Sequence, residues 1–284
     1  MAEAHRHRRV QGHRGRRRLK TVGVFDSGVG GLSVLRALLA ELPGTRFVYA
    51  ADSAHAPYGE RTAQDVSART HRITAQLREQ HGIDALVVAC NTATAHAIDD
   101  LRKAYPDMPI VGVEPALKPA AALSRSGGIG VLATRGTLES ARFAQLRDRL
   151  VAAAPRPLRF ISQPCDGLAA AIERHELPTI EALSTRYVQE LLQGPQGDHP
   201  IDTLVLGCTH YPFAAELLGR LCGPDVTLVD TGAPVARRTR DVLGLPLLPD
   251  APTVPPLLLS SGNPSALAQA AQRWLGLGVE ARSL

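Results

Sequence analysis

The sequence predicts an α/β protein of two similar domains, each a mostly parallel sheet flanked by helices, with the active site in the cleft between them. Three observations carry this. Strand-length apolar runs alternate with helical patterns almost without hairpin signals, which is the mark of βαβ units and parallel sheets. Two of those runs end in cysteine and pass at once to helix-starting residues: Ala85-Leu-Val-Val-Ala-Cys90-Asn91-Thr92 and Thr203-Leu-Val-Leu-Gly-Cys208-Thr209-His210-Tyr211-Pro212. The stretch Val22-Gly-Val-Phe-Asp26-Ser27-Gly28-Val29-Gly30-Gly31 has a weak echo in Ile129-Gly-Val-Leu-Ala-Thr134-Arg135-Gly136-Thr137, and the intervals Asp26 to Cys90 and Thr134 to Cys208 are similar in length.

In chain order, residues 1–20 come first. They hold eight Lys/Arg against one Glu, a charge of +7, so the rest of the +5 chain sums to −2. This segment has no apolar periodicity and reads as a disordered basic tail. Such an arm can bind nucleic acid non-specifically, but a solvated extension is the commoner case. Strands are expected at Val22–Asp26, Phe47–Asp52, Leu86–Cys90, Ile110–Glu114, Ile129–Thr134, Leu158–Gln163, Leu204–Cys208 and Val226–Asp230. Helical patterns such as Leu32, Leu35, Leu38, Leu39 and Leu42 separate them. A crossing at Glu114-Pro115 and a return near Asp230-Thr231 divide the chain into a discontinuous first domain, 21–114 plus 231–284, and a second, 115–230. The run Thr253-Val-Pro-Pro-Leu-Leu-Leu-Ser-Ser should add a strand to the first sheet, at an edge because of its prolines. A helix over Ser265–Trp274 then closes the chain.

Composition removes several functions. At 284 residues, 44% hydrophobic and 4% aromatic, the chain suffices for two modest cores. No apolar run approaches the roughly 18 residues of a membrane span, and no signal-peptide pattern follows the basic start. A cytoplasmic location without membrane contact is expected. The four cysteines, Cys90, Cys165, Cys208 and Cys222, show neither C-x-x-C spacing nor paired histidines. Reduced thiols, no metal and no disulfide framework follow. The three lysines, Lys20, Lys103 and Lys118, end no expected strand, which argues against a pyridoxal-phosphate Schiff base.

Cys90 and Cys208 stand where ligands bind in open α/β sheets, at the carboxyl edge. The amides of a following helix should draw their pKa values toward neutrality. If the two halves face each other, the thiols approach a ligand from opposite sides, which is what inversion at a carbon needs. The glycine loop imitates a dinucleotide fingerprint and fails it: Ser33 replaces the third glycine, and Asp26 would repel a pyrophosphate. Its amides suit a small carboxylate, and Asp26 suits an ammonium group or a thiol.

The motifs Val-Phe-Asp26-Ser27-Gly-Val-Gly-Gly, Ala-Pro57-Tyr58-Gly59-Glu, Ala-Cys90-Asn91-Thr92-Ala-Thr94 and Gly-Cys208-Thr209-His210-Tyr211-Pro212 together resemble the glutamate racemases. They occur in that order between about Val22 and Asp230. The resemblance implies two α/β domains, a homodimer, no cofactor, and two cysteines interconverting L- and D-glutamate for bacterial peptidoglycan. It assigns Asp26-Ser27, Tyr58-Gly59, Asn91-Thr92 and Thr209-His210 to substrate, with the Tyr58-Gly59 amides on the side-chain carboxylate. Asp26 would support Cys90, and His210 would support Cys208. One stretch departs from the family: Cys165-Asp166-Gly167-Leu-Ala-Ala-Ala-Ile-Glu173 stands where many members have Cys-Pro and Val-Pro-Leu-Val-Glu. The spacing keeps Glu173 as a candidate helper of Cys208, against the plainer reading of a solvated helix face. Cys165 and Cys222 are expected in the core.

Three other functions fit parts of the chain. A racemase or decarboxylase of the same superfamily could act on aspartate, a hydantoin or a malonate. A non-catalytic binding protein would share the hinged cleft but needs no strand-ending cysteines. A nucleic-acid protein would use residues 1–20.

Overall fold

In the computed structural model, which describes residues 19–194, 199–248 and 250–284, every strand pairing is parallel. The basic-tail reading falls on residues 1–18 and lies outside them. One sheet is built from β1 (Thr21–Asp26), β2 (Arg46–Ala51), β3 (Ala85–Val88), β4 (Ile110–Gly112), and, late in the chain, a further pair. The other contains β5 (Gly128–Ala133), β6 (Arg159–Pro164), β7 (Ile201–Leu206) and β8 (Thr227–Val229). The late pair is β9 (Leu257–Ser260) and β10 (Ala281–Ser283), giving the orders β10-β9-β2-β1-β3-β4 and β6-β5-β7-β8.

The shared order 2-1-3-4 and 6-5-7-8 makes the two halves topological copies. In each, the strand before the glycine or threonine loop pairs directly with the strand before the cysteine: β1 with β3, and β5 with β7. That pair is where the strand order reverses, so the crevice at its carboxyl end is the binding location in both sheets. The central strands are buried on both faces, as their continuous Val/Ile/Leu runs require. Val24, Phe47 and Val87 feed one core layer and Phe25, Val48 and Val88 the opposite one. Leu204 with Leu206, and Val131 with Val205, do the same for the second sheet.

Two expectations about the chain's end change. β9 is interior, pairing with β2 on one side and β10 on the other. Pro255 and Pro256 precede the ladder, so they remove no strand hydrogen bond. β10 covers the edge after the helix Pro264–Leu275, and its three residues were too few to show a period. No helix among the described residues is long and apolar enough to cross a membrane.

Candidate active site

Cys90 leaves the first sheet as the N-cap of the helix Asn91–Ala104, its Sγ accepting from the Ala93 amide at 3.4 Å. The thiol also donates to Ser27 Oγ at 3.7 Å. Only 5% of Cys90 is exposed. Burial and the neighbouring Asp26 carboxylate push the thiol up to about 12, and the Ala93 amide and Ser27 do not offset them. The expected drift toward neutrality is therefore reversed: one helix amide is outweighed by desolvation.

Cys208 is placed differently. The residues after it form a single 3-10 turn, Tyr211–Ala214, with Pro212 inside it, and the α-helix begins only at Ala215. In place of a helix amide, the hydrogen-bonding partner of Cys208 Sγ is His210 Nδ1, 3.7 Å away. His210 Nε2 lies 2.7 Å from Glu173 Oε2, which accepts from the Val29 amide at 2.8 Å. Burial opposes a charge on His210, but its hydrogen bonds to Cys208 and Glu173 carry its pKa well above the ordinary histidine range. Glu173 thus faces inward from the helix Leu168–Glu173 and is not part of a solvated face.

Asp26, at the end of β1, is fully buried. Its Oδ1 accepts from the Gly28 amide at 2.8 Å and its Oδ2 from Thr209 Oγ1 at 3.0 Å. Burial raises its pKa to about 6, against the opposing effects of His210 and the Gly28 amide. Asp26 touches Cys90 through charge and not through a hydrogen bond to it.

The glycine loop is a socket for the second domain. A Cβ on Gly28 would meet Glu173 Oε2 at 2.3 Å, and one on Gly30 would meet His210 Nδ1 at 2.3 Å. Tyr49 holds the loop from beneath, donating to Gly28 O at 2.6 Å, and Ser33 Oγ donates to Gly30 O and Thr209 O, both at 2.8 Å. The amides expected to take a ligand carboxylate bind protein carboxylates instead.

The Tyr58-Gly59 loop follows the cis peptide Ala56-Pro57. Its anchor is Asp52, which accepts from Tyr58 OH and Ser261 Oγ, both at 2.6 Å, and from Arg69. Despite burial, these donors, Arg69 foremost, hold the Asp52 carboxyl down to about 2. A Cβ on Gly59 would meet Thr134 Cβ, from the other domain, at 2.8 Å. Thr92 Oγ1 lies 3.2 Å from Thr134 Oγ1, which is 3.0 Å from Thr137 Oγ1. Asn91 is buried with neither Oδ1 nor Nδ2 bonded, the unspent capacity of a group suited to a ligand.

The structure brings Asp26, Ser27, Cys90, Cys208, Thr209, His210 and Glu173 together and sets Asn91, Thr92 and Gly59 along the same domain boundary, while the Tyr58 ring is buried in the first domain's core against Phe25 with its hydroxyl on Asp52. Sequence reasoning missed Asp52 as an anchor, Ser33 as an interdomain donor and Thr134 as Gly59's neighbour. The only available signals were Asp52's strand-end position and Thr134's place in the echo of the glycine loop. Cys165 is buried, while Cys222 is half-buried. Among the described residues, no group of three or more His, Cys, Asp or Glu is arranged to hold a metal ion.

Two parallel sheets whose facing edges each present a buried thiol, one beside a carboxyl and one beside an imidazole, define a two-domain α/β protein with its titratable groups gathered between the domains. The chain belongs to the Asp/Glu/Hydantoin racemase family, whose model matches residues 23–239. It is 52% identical to the glutamate racemase of Pseudomonas paraeruginosa over 222 residues, 78% of this chain and 81% of the relative. Identity to that of Pseudomonas entomophila is 49% over 249 residues, 87% and 90% of the two chains. Among solved structures, glutamate racemase isoform RacE1 from Bacillus anthracis superposes with a TM-score of 0.81 at 29% identity, covering 93% of this chain and 97% of that one. The Escherichia coli glutamate racemase, in complex with L-glutamate and the activator UDP-MurNAc-Ala, gives 0.77 at 32% identity, covering 93% and 97%.

Proposed function

We propose that this chain is a glutamate racemase, interconverting L- and D-glutamate by proton transfer between Cys90 and Cys208 without a cofactor. The observation that carries this is the unequal pairing of two buried thiols across the cleft: Cys90 beside Asp26 and Ser27, Cys208 beside His210 and Glu173. Inversion needs one thiol and one thiolate at a time. The rise in Cys90's pKa keeps its proton, and His210 Nδ1, 3.7 Å from Cys208 Sγ, stands where it can exchange a proton with the other thiol. Cys208 then removes the α-proton from one face, Cys90 delivers its own to the other, and the opposite direction exchanges their roles.

Asn91, Thr92, Thr209, Ser27 and the Tyr58-Gly59 loop surround the substrate, with Asp26 and Glu173 tuning the thiols and His210 doing both. The 50%-level identity to glutamate racemases over most of the chain supports glutamate over aspartate or a hydantoin. Supply of D-glutamate to peptidoglycan, a cytoplasmic location and a homodimer belong to the same reading. So does the division into 21–114 plus 231–284 and 115–230, which the strand membership of the two sheets supports.

The test is direct. L-glutamate incubated with the protein, a chelator and no added cofactor should lose its optical rotation toward zero, and D-glutamate should do so from the other side. Rotation that stays constant, while aspartate or a hydantoin racemises, would move the chain to another substrate of the family.

A further inference from the structure

The chain has one tryptophan, Trp274, on the helix Pro264–Leu275 of the first domain. Its indole stacks on Phe213 with ring centroids 4.6 Å apart and planes 16° from parallel. Its second ring contact is the edge of His175, 5.7 Å away at 81°, and the neighbouring Arg273 guanidinium lies 5.8 Å from the ring centroid. Both ring partners belong to the second domain. Phe213 packs against the core of the first sheet as well as that of the second.

The two partners are not ordinary surface residues. The Phe213 amide donates to His210 O at 3.0 Å, so Phe213 and His210 share one tight turn. His175 has a left-handed backbone, φ 56°, two residues beyond Glu173, and its amide donates to Ile172 O at 3.0 Å. Trp274 therefore touches both turns that carry the Glu173–His210 pair. The side-chain atoms His175 Nδ1 and Trp274 Nε1 are buried here without hydrogen bonds. A contact that strands two polar atoms closes at a cost and reopens readily.

Reopening matters because Cys90, Cys208, Asp26 and His210 are all at most 7% exposed. A substrate reaches them only if the domains part, and parting separates Trp274 from Phe213 and His175. We propose that Trp274 is a positioning residue: clamped between Phe213 and His175, it sets the Glu173–His210 pair against the glycine loop each time the cleft closes. This rests on the racemase reading. Trp274 acts through His210 and touches no reacting atom, so it should govern the rate of proton transfer more than substrate binding.

The experiment uses the full chain with W274A and W274F, measuring racemisation of glutamate, thermal unfolding and indole emission. W274A should lose kcat by about tenfold or more, the scale of a displaced catalytic group, with KM changed by less than about threefold. W274F, which keeps a stacking ring, should recover most of kcat. In the unaltered chain, the lone indole's emission should change with glutamate and saturate near KM. Wild-type kcat in W274A, equal losses in W274A and W274F, a loss explained by unfolded protein, or emission indifferent to glutamate would overturn the proposal. A chain that leaves glutamate unchanged while binding to it removes the racemase reading itself, a different failure from a racemase indifferent to W274A.

Discussion

Val29 and Glu173 meet across the cleft, the amide nitrogen of one 2.8 Å from Oε2 of the other. The same oxygen holds His210 Nε2 at 2.7 Å. One carboxylate thus does two things: it fixes the imidazole beside Cys208, and it docks the second domain on the glycine loop. Docking and acid–base competence are then a single event, because the imidazole is oriented by the same atom that closes the cleft.

Replacing Glu173 by Gln keeps the size and an acceptor for Val29 but removes the charge facing His210. The expected result is a fall in kcat of about tenfold to a hundredfold, toward the lower end of what a general acid–base group supplies. The unfolding midpoint should move little. Steady-state kinetics in both directions, beside thermal melts, check it. A glutamate on a solvated face would leave kcat unchanged.

Gly59→Val tests the approach of the Tyr58-Gly59 loop to Thr134. A Cβ there would stand 2.8 Å from Thr134 Cβ and 2.9 Å from its Cγ2; the methyl can turn about χ1, but Cβ is fixed by the backbone of a closed cleft. The loop lies at the surface of its own domain, so the fold should persist while kcat/KM falls by about a hundredfold. Circular dichroism and kcat/KM for glutamate are the measurements. Undiminished kcat/KM would show that the two domains never close this far during turnover.

Asp26 gives a pH dependence of stability. Its pKa rises on folding from 3.8 to about 6, because burial disfavours the charge. The folded state binds this proton more tightly, so stability from this group is greatest in acid and declines as pH rises from about 4 through about 6. The loss comes to about 3 kcal/mol once Asp26 is ionised. Asp26→Asn has no such loss, so it should gain on the unaltered chain between pH 4 and pH 7. Urea unfolding at the two pH values checks this; a difference between the proteins that stays constant contradicts it. Asp52, held down to about 2, works oppositely and stabilises the fold above about pH 4 in both proteins.

Much of this was legible beforehand, and the limits have physical reasons. The cysteines were visible because a strand of buried Val and Leu followed by a helix cap is a local pattern: β3 reads Ala-Leu-Val-Val, buried throughout. The glycine loop was visible as a loop, but its purpose was not. That Gly30 leaves room for His210, 180 positions later in the chain, is a fact of domain packing. In the sequence Ser33 only spoils a nucleotide fingerprint, yet its hydroxyl holds Thr209 O. The surroundings of the second cysteine are not legible locally, because Thr209 follows a strand as a helix-starting residue would, whereas its hydroxyl is spent on Asp26. An edge position for β9 follows only if its prolines lie inside the strand, and the strand begins after them at Leu257.

The two-base assignment of Cys90 and Cys208 makes the sharpest prediction. The thiols come from equivalent strand ends of facing domains, and Cys90 lies close enough to feel the charge of Cys208. They have different partners, so neither can take over the other's task. Cys90→Ser or Cys208→Ser replaces a thiol of ordinary pKa about 8.5 by a hydroxyl that ionises far above it, with little change in volume. Racemisation should fall by at least about a thousandfold in each, on the scale of losing a general acid or base, while glutamate binding and the unfolding midpoint change much less. In deuterated water, early product of either hand should carry solvent deuterium at the α-carbon. The reason is that the delivered hydron comes from the cysteine that did not take the substrate's proton, and that cysteine has equilibrated with solvent. A single base working on both faces would return some of the original hydrogen. Early product that retains substrate hydrogen in substantial amount, or a lone cysteine variant that racemises at near-normal rate, would rule out two separate bases.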